Sequence, residues 1–466
     1  MTRGCGRWGA FASLLLVAGS ATLASAGAVL PPGFIETRMT GPMMTNVTTM
    51  AIAPDGRIFV SEQGVVVAAT PGKGTGAIRV IKNDTLLPTP ALTLTVDPTN
   101  ERGMLGIAFD PAFATNQYMY VYYTVPQAVF DPLLPNLGAH NRVSRFTLSG
   151  DTVVAGSEVP ILDLPLLGTA PIHNSGSLHF GPDGKLYISV GENFKGTPSQ
   201  DLSQPLGKLL RINTDGSIPA DNPFVGTAGA RGEIWAYGLR NPFTFDIQPG
   251  TGRIFVNDVG DKLFDEINDI VKGGNYGWAE TEGPHTNPNF LQPFYYRPWS
   301  SADCTLIGAA FYDPPVRNFP ASYVGTYFYS DLCAGYIKML NPTTGASTTF
   351  VPSGLKSPVD LDVSPDGKLY YLNRGAGVNT GEVFRIEVGD GRPHISVPPT
   401  SQLVTNGDTV TFTCSANGFA PLSFEWLRNG VTVSGPAPGV GDSSSYSFVV
   451  SPGDCLLYTS PSPRDS

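Results

Sequence analysis

The sequence predicts an all-β chain: a six-bladed β-propeller with a partial C-terminal β-sandwich. Three observations predict it. The chain carries 54 glycines and 42 prolines against 15% charged residues, which suits short strands joined by turns better than helical bundles. A turn with Asp-Gly or its equivalent, followed by a short aromatic and β-branched strand, recurs six times from residue 55 to 366. Beyond residue 390 the composition shifts to a different alternating pattern.

Taken in order, residues 1–26 read as an export signal. Arg3 and Arg7 make a basic start, "FASLLLVAG" an apolar core, and Ala24-Ser25-Ala26 a small-residue cleavage site. That apolar run is too short to span a bilayer, and no later segment is long enough. The expectation is a secreted or periplasmic protein without a membrane span. Residues 27–390 are the propeller. Its signatures are "PDGRIFVSE" near Asp55, "TNQYMYVYYT" near Asn116, "PDGKLYISVG" near Asp183, "GTGRIFVNDVG" near Thr251, "VGTYFYSDL" near Gly325 and "PDGKLYYLNRG" near Asp366. Each marks one four-stranded blade, since a period this long is unlike a β-sandwich with similar turns.

Residues 391–454 alternate as strands and place Cys414 ahead of Trp426. They resemble the first half of an immunoglobulin-like domain, with its strand-B cysteine and strand-C tryptophan. Such a module would offer contact to polysaccharide or another protein. The final stretch, "CLLYTSPSPRDS" (455–466), resembles translated adapter read-through and is read as foreign, which leaves Cys414 without its natural partner.

A net charge of -10 and a pI near 5.0 exclude nucleic acid as a partner and are compatible with calcium, which takes hard oxygen ligands. Cys304 and Cys333 share one stretch and are a disulfide or two buried thiols; the exported compartment favours the bridge. Neither shows metal-ligand spacing.

Four blocks carry a further resemblance. They are "ERGMLGIAFDPAFATNQYMYVYYT" from Glu101, "HNSGSLHFGPDGKLYISVGEN" from His173, "LGKLLRINTDGSIPADNPF" from Leu206, and the run from Glu233 that contains "GLRNP", "DEIN" and "KGGNYGW". Together they resemble the soluble quinoprotein glucose/sorbosone dehydrogenases, six-bladed propellers that use pyrroloquinoline quinone (PQQ) and calcium. The resemblance implies oxidation of an aldose or related sugar, with electrons leaving to an external acceptor. His173 matches the general base, and imidazole suits that role because its resting pKa lies nearest neutrality. Arg240 and Asn241 match cofactor contacts, and Glu101 and Asn193, where the family has substrate-side glutamines, are expected to face the cofactor with them. The turn "NDVGD" matches the calcium loop, with backbone carbonyls of Gly260 and Asp261 facing the ion. Asp265, Glu266 and Tyr276 are expected to form a second calcium site.

The chain also departs from the glucose enzymes. Ile172 stands where they have an aspartate, and the paired arginines that clamp PQQ before the last blade strand are missing from "GLKSPVDLDVSPDG". Lys356 and Arg374 are nearby positive groups with no assigned place. On residue type alone, His173 could be a hairpin histidine bonded to a carbonyl, and His179 reads as structural. Two other functions compete: a non-catalytic propeller that binds carbohydrate or protein, and a calcium-dependent propeller lactonase. The latter needs carboxylates around the central channel, and none stands out beyond the Asp265–Glu266 turn.

Overall fold

The computed structural model describes residues 28–451, except 42, 67–71, 129–137, 376, 390–393 and parts of the C-terminal module (398, 400–401, 403, 418–421, 429–430 and 439–442). The segments expected to be an export signal (1–26) and a foreign tail (455–466) lie outside the described residues.

Six antiparallel sheets radiate from one axis. Their first strands are Val47–Ile52, Met104–Phe109, Ser175–Phe180, Pro242–Ile247, Leu306–Phe311 and Pro358–Val363. Each packs on the next, and the last packs on the first, so the ring closes around a channel. The repeated signatures are the second strands of the blades. Leu186–Val190, Ile254–Asp258, Tyr327–Asp331 and Leu369–Asn373 are buried at every residue. A strand covered on both faces needs a continuous apolar run rather than alternation, and that is what the signature supplies. Wedges between blades complete the core, as where Phe59, Ile78 and Val80 meet Met104, Met119 and Val121 of the next sheet.

The sixth blade is assembled from both ends of the propeller. Phe34–Arg38 pairs antiparallel with Glu382–Val388, Phe34 opposite Val388 and Arg38 opposite Phe384. This closure hides the edges that an open sheet would expose. Three carboxylates also stitch neighbouring first strands. Asp360 accepts the Thr49 hydroxyl (2.7 Å) and the Met50 amide (2.8 Å), Asp362 accepts the Ile52 amide (3.0 Å), and Asp246 accepts the Phe311 amide (2.6 Å).

All six first strands carry a bulge against their second strand at the starting end, at Val47/Thr49, Met104/Gly106, Ser175/Leu178, Pro242/Thr244, Ile307/Ala309 and Pro358/Asp360. A bulge bends its strand and re-aims the adjoining side chains. Repeated around the ring, it gives the channel a shaped mouth. Loops entering first strands and loops leaving second strands both open there.

The C-terminal module has two sheets. One pairs His394–Val397, Thr409–Asn417 and Ser443–Val449; the other pairs Ser423–Arg428 with Val431–Pro438. Trp426 donates its indole N–H to the Ser444 hydroxyl at 2.9 Å, bridging the two. Cys414 is a buried free thiol whose pKa burial pushes up to about 11. Cys304 and Cys333 form the disulfide, with Cα atoms 5.6 Å apart. Among the described residues, no helix is long and apolar enough to cross a membrane.

Candidate active site

A cavity of about 550 Å³ fills the channel, and its mouth is ringed by Gln63, Glu101, Asn241, Thr305, Leu332 and Arg374. His173 stands beside this ring, two residues before the third blade's first strand. Its backbone is left-handed (φ 56°), as is that of Ser175 (φ 53°), a conformation that costs a non-glycine residue energy. Three contacts hold it. The His173 amide donates to Glu101 Oε2 at 2.6 Å, its carbonyl accepts from the Asn193 amide at 3.2 Å, and its ring Nδ1 lies 2.5 Å from Glu192 Oε1. Close approach also requires Gly191. A Cβ there would lie 2.2 Å from the His173 carbonyl oxygen and 3.0 Å from Asn241 Oδ1.

Glu192 decides the state of the imidazole. Its Oε2 accepts the amides of Lys195 and Gly196 while Oε1 faces His173. Burial works against its ionisation, but the His173 ring and those amides outweigh it and hold the carboxyl below its usual range. An ionised Glu192 can only accept, so Nδ1 carries a proton, and in the neutral imidazole Nε2 is the ring's acceptor. The residue was missed in the sequence, yet a signal was present. Ser175 pairs with Val190 across the hairpin, and stepping two residues outward on each strand sets 173 opposite 192.

Asn241 and Arg240 enter the fourth blade. Both amides donate to Asp258 (2.7–3.2 Å), and Asn241 Oδ1 accepts the Ser175 hydroxyl at 2.9 Å. Burial raises the Asp258 pKa to about 7 despite these bonds. The Arg240 guanidinium donates to the Val259 carbonyl (3.0 Å) and Asp261 Oδ1 (3.1 Å) and lies 5.3 Å from the Trp278 ring centre. Its Nε is buried with no partner among the described residues. Such an orphaned cationic donor fits an anionic or carbonyl-bearing ligand at the mouth.

Residues 260–264 form a tight nest. Amides of Asp261, Lys262, Leu263 and Phe264 all reach Glu282 Oε1 (2.7–3.2 Å). In trans peptides the carbonyls oppose the amides, so those of Gly260 to Leu263 point away from Glu282. A side chain at Gly260 would strike the Phe264 carbonyl, its Cβ only 1.8 Å away. Carbonyl oxygens turned outward from a rigid turn are a fitting donor set for calcium. Glu282 was not legible as part of this turn.

Three sequence expectations need correction. Asp265, Glu266 and Tyr276 are not brought together. Asp265 is bound by Arg297 (2.7 Å) and by the amides of Gly260 and Leu306, and Glu266 by Asn268 and Gly283. The Tyr276 hydroxyl is spent on the Asp269 carbonyl and the Val271 amide, at the other end of that strand. Asn193 does not face the cavity with its amide: Oδ1 accepts the Gly168 amide at 2.7 Å, so it latches the loop before His173. The channel does hold carboxylates, Asp246, Asp360 and Asp362, with pKa values raised by burial to about 7, 6 and 8. Each is committed to a neighbouring blade's backbone, which does not favour a lactonase ion site. Asp360 and Asp362 line the cavity, and the alternation in "VDLDV" was the signal that put both on one face. Glu101 does reach the mouth, where burial raises its carboxyl against the pull of His173 and Arg240.

Comparisons with known proteins place the fold and the family. The family description Glucose / Sorbosone dehydrogenase matches residues 44–383, and Immunoglobulin domain matches 392–459. The chain is 37% identical to the aldose sugar dehydrogenase YliI of Escherichia coli over 302 residues, 61% of this chain and 76% of that protein. It is 34% identical to quinoprotein glucose dehydrogenase B of Acinetobacter calcoaceticus over 253 residues, about half the length of each (49%). A solved structure named glucose dehydrogenase superposes with a TM-score of 0.64 at 26% identity, covering 76% of this chain and 99% of that one. The chain belongs to the glucose/sorbosone dehydrogenase family.

Proposed function

We propose that this chain is an exported quinoprotein dehydrogenase that oxidises the anomeric carbon of an aldose or related sugar. The observation that carries the reading is the His173–Glu192 pair beside the cavity-lining Glu101 and Asn241, with Nδ1 against the carboxylate so that a neutral imidazole keeps Nε2 as its acceptor. In the reaction, the anomeric O–H gives its proton to His173 Nε2 while the C1–H bond breaks with its electron pair; the C1–O bond becomes a carbonyl and the sugar leaves as its lactone. Glu192 stabilises the imidazolium that forms, and Glu101 fixes the backbone that carries it. PQQ would supply the hydride acceptor, with calcium polarising the accepting carbonyl. Arg240 and Asn241 would hold PQQ, and carbonyls of Gly260 and Asp261 would hold calcium. The fit rests on the unpartnered Arg240 Nε and the outward carbonyls of the nest. Electrons would pass on to an external acceptor, and the immunoglobulin-like module would provide contact with polysaccharide or a protein.

The test is reconstitution. Apo protein given PQQ and calcium should reduce a redox dye with one or more members of an aldose panel. Absence of both cofactor binding and turnover would favour the non-catalytic binding propeller instead.

A further inference from the structure

Arg374 lines the cavity, and Arg240 adjoins the cavity-lining Asn241; the two arginines have different company. Arg240 is tied to Asp261. Arg374 has no acidic partner among the described residues, although it lines the cavity from the loop after the sixth blade's second strand. Its Nη1 donates to the Val47 carbonyl at 2.9 Å and its Nη2 to Gln63 Oε1 at 2.6 Å. Gln63 is itself anchored, its Nε2 donating to the carbonyls of Asn100 and Arg102. The guanidinium is thus aimed by neutral groups that orient it without cancelling its charge.

A half-buried cation without a counter-ion is costly to a folded protein. Burial alone pulls its pKa below the usual arginine value, with nothing opposing it. Buried arginines elsewhere in this chain are paired: Arg102 with Asp97, Arg211 with Asp183 and Asp221, and Arg297 with Asp265 and Asp331. The one at the cavity mouth is left open to a ligand. Two of its five N–H donors are used by the bonds given above, and a planar fork with free donors is the geometry that takes a carboxylate.

We propose that Arg374 is the carboxylate-recognition residue of this mouth and takes one carboxylate of PQQ, in place of the arginine pair missing from residues 354–367. The inference rests on the PQQ reading above. It adds that cofactor affinity in this chain is carried from the junction of the sixth and first blades. Gln63 is then a positioning residue.

The experiment is a direct binding titration. Apo wild type, Arg374→Gln, Arg374→Lys and the surface control Arg142→Gln are titrated with PQQ in calcium buffer, following tryptophan fluorescence, and then with PQQ trimethyl ester, whose carboxylates are blocked. Arg374→Gln should bind PQQ ten- to a hundredfold more weakly, Arg374→Lys by an intermediate factor, and the control like wild type. The ester should bind wild type and Arg374→Gln alike. Apo melting temperatures of the Arg374 variants should stay within a few degrees of wild type or rise, because the change removes an uncompensated charge. Equal PQQ affinity of wild type and both Arg374 variants overturns the inference alone. Failure of wild type itself to bind PQQ overturns the PQQ reading and this inference with it.

Discussion

Replacing Glu192 by glutamine isolates the tautomer on which the proton-transfer step depends. The wild-type carboxylate accepts from three donors: His173 Nδ1 at 2.5 Å, and the amides of Lys195 and Gly196. Glutamine keeps one accepting oxygen and replaces the other with a two-donor NH2. If its oxygen stays with the loop amides, the NH2 faces Nδ1, and the imidazole must carry its proton on Nε2, where it cannot act as base. If the oxygen turns to His173, the NH2 meets two N–H donors and the loop is pushed away. Swapping the orienting acid for its amide in a comparable acid–imidazole pair costs about 10⁴ in kcat. Here a fall of roughly 10³–10⁴ is expected, equivalent to about 4–5.5 kcal/mol of barrier. The assay is stopped-flow mixing of PQQ-loaded, calcium-replete protein with an aldose, following the cofactor's absorbance, with PQQ affinity measured in parallel. Affinity should change little. A variant within tenfold of wild-type kcat would refute the tautomer argument.

Three other perturbations follow from the same contacts. Glu282→Ala removes the acceptor shared by four amides of the 260–264 nest; calcium affinity, read by isothermal titration, should fall at least tenfold, and unchanged affinity would detach the nest from the metal. The double change Cys304→Ser, Cys333→Ser opens a loop of sequence separation 29, for which the chain-entropy model gives a loss of about 3.6 kcal/mol, measured by urea unfolding. Asp362→Asn bears on pH. Burial raises the Asp362 folded pKa to about 8, above the usual aspartate value of 3.8, so its favourable contribution is complete below about 4 and is lost as pH rises towards 8. The non-titrating variant should therefore gain stability relative to wild type between pH 5 and pH 8, by about 1–2 kcal/mol after allowing for channel water; parallel pH profiles would contradict the assignment.

Much of the fold was legible because its signals are local. Each Asp-Gly turn and the aromatic strand after it lie within about ten residues, and six copies demanded six blades. The closure by Phe34–Arg38 was not legible, since its partner strand lies some 350 residues away and neither carries a pairing motif. At the site, His173, Arg240 and Asn241 stood out through their motifs, and the structure gathers them round one mouth. Glu192 hid inside the same stretch as His173, because its role depends on the hairpin's register rather than on its neighbours. Glu282 was invisible for a similar reason: the amides it gathers lie 18 to 21 residues upstream. Tyr276 misled for the opposite reason, as a motif tyrosine whose hydroxyl proved to be spent on backbone inside the blade. Arg374 was noticed but could not be placed until the fold showed which charges it lacked.

The central claim is that His173 takes the sugar's proton beside a bound quinone. The most direct measurement is an anaerobic single turnover with wild type and His173→Ala, each loaded with PQQ and calcium and mixed with the best aldose of the panel. The account predicts that both proteins bind PQQ, that wild type bleaches to the reduced cofactor with release of one lactone per site, and that His173→Ala does so at least a hundredfold more slowly. A His173→Ala protein that reduces its cofactor at the wild-type rate would contradict it.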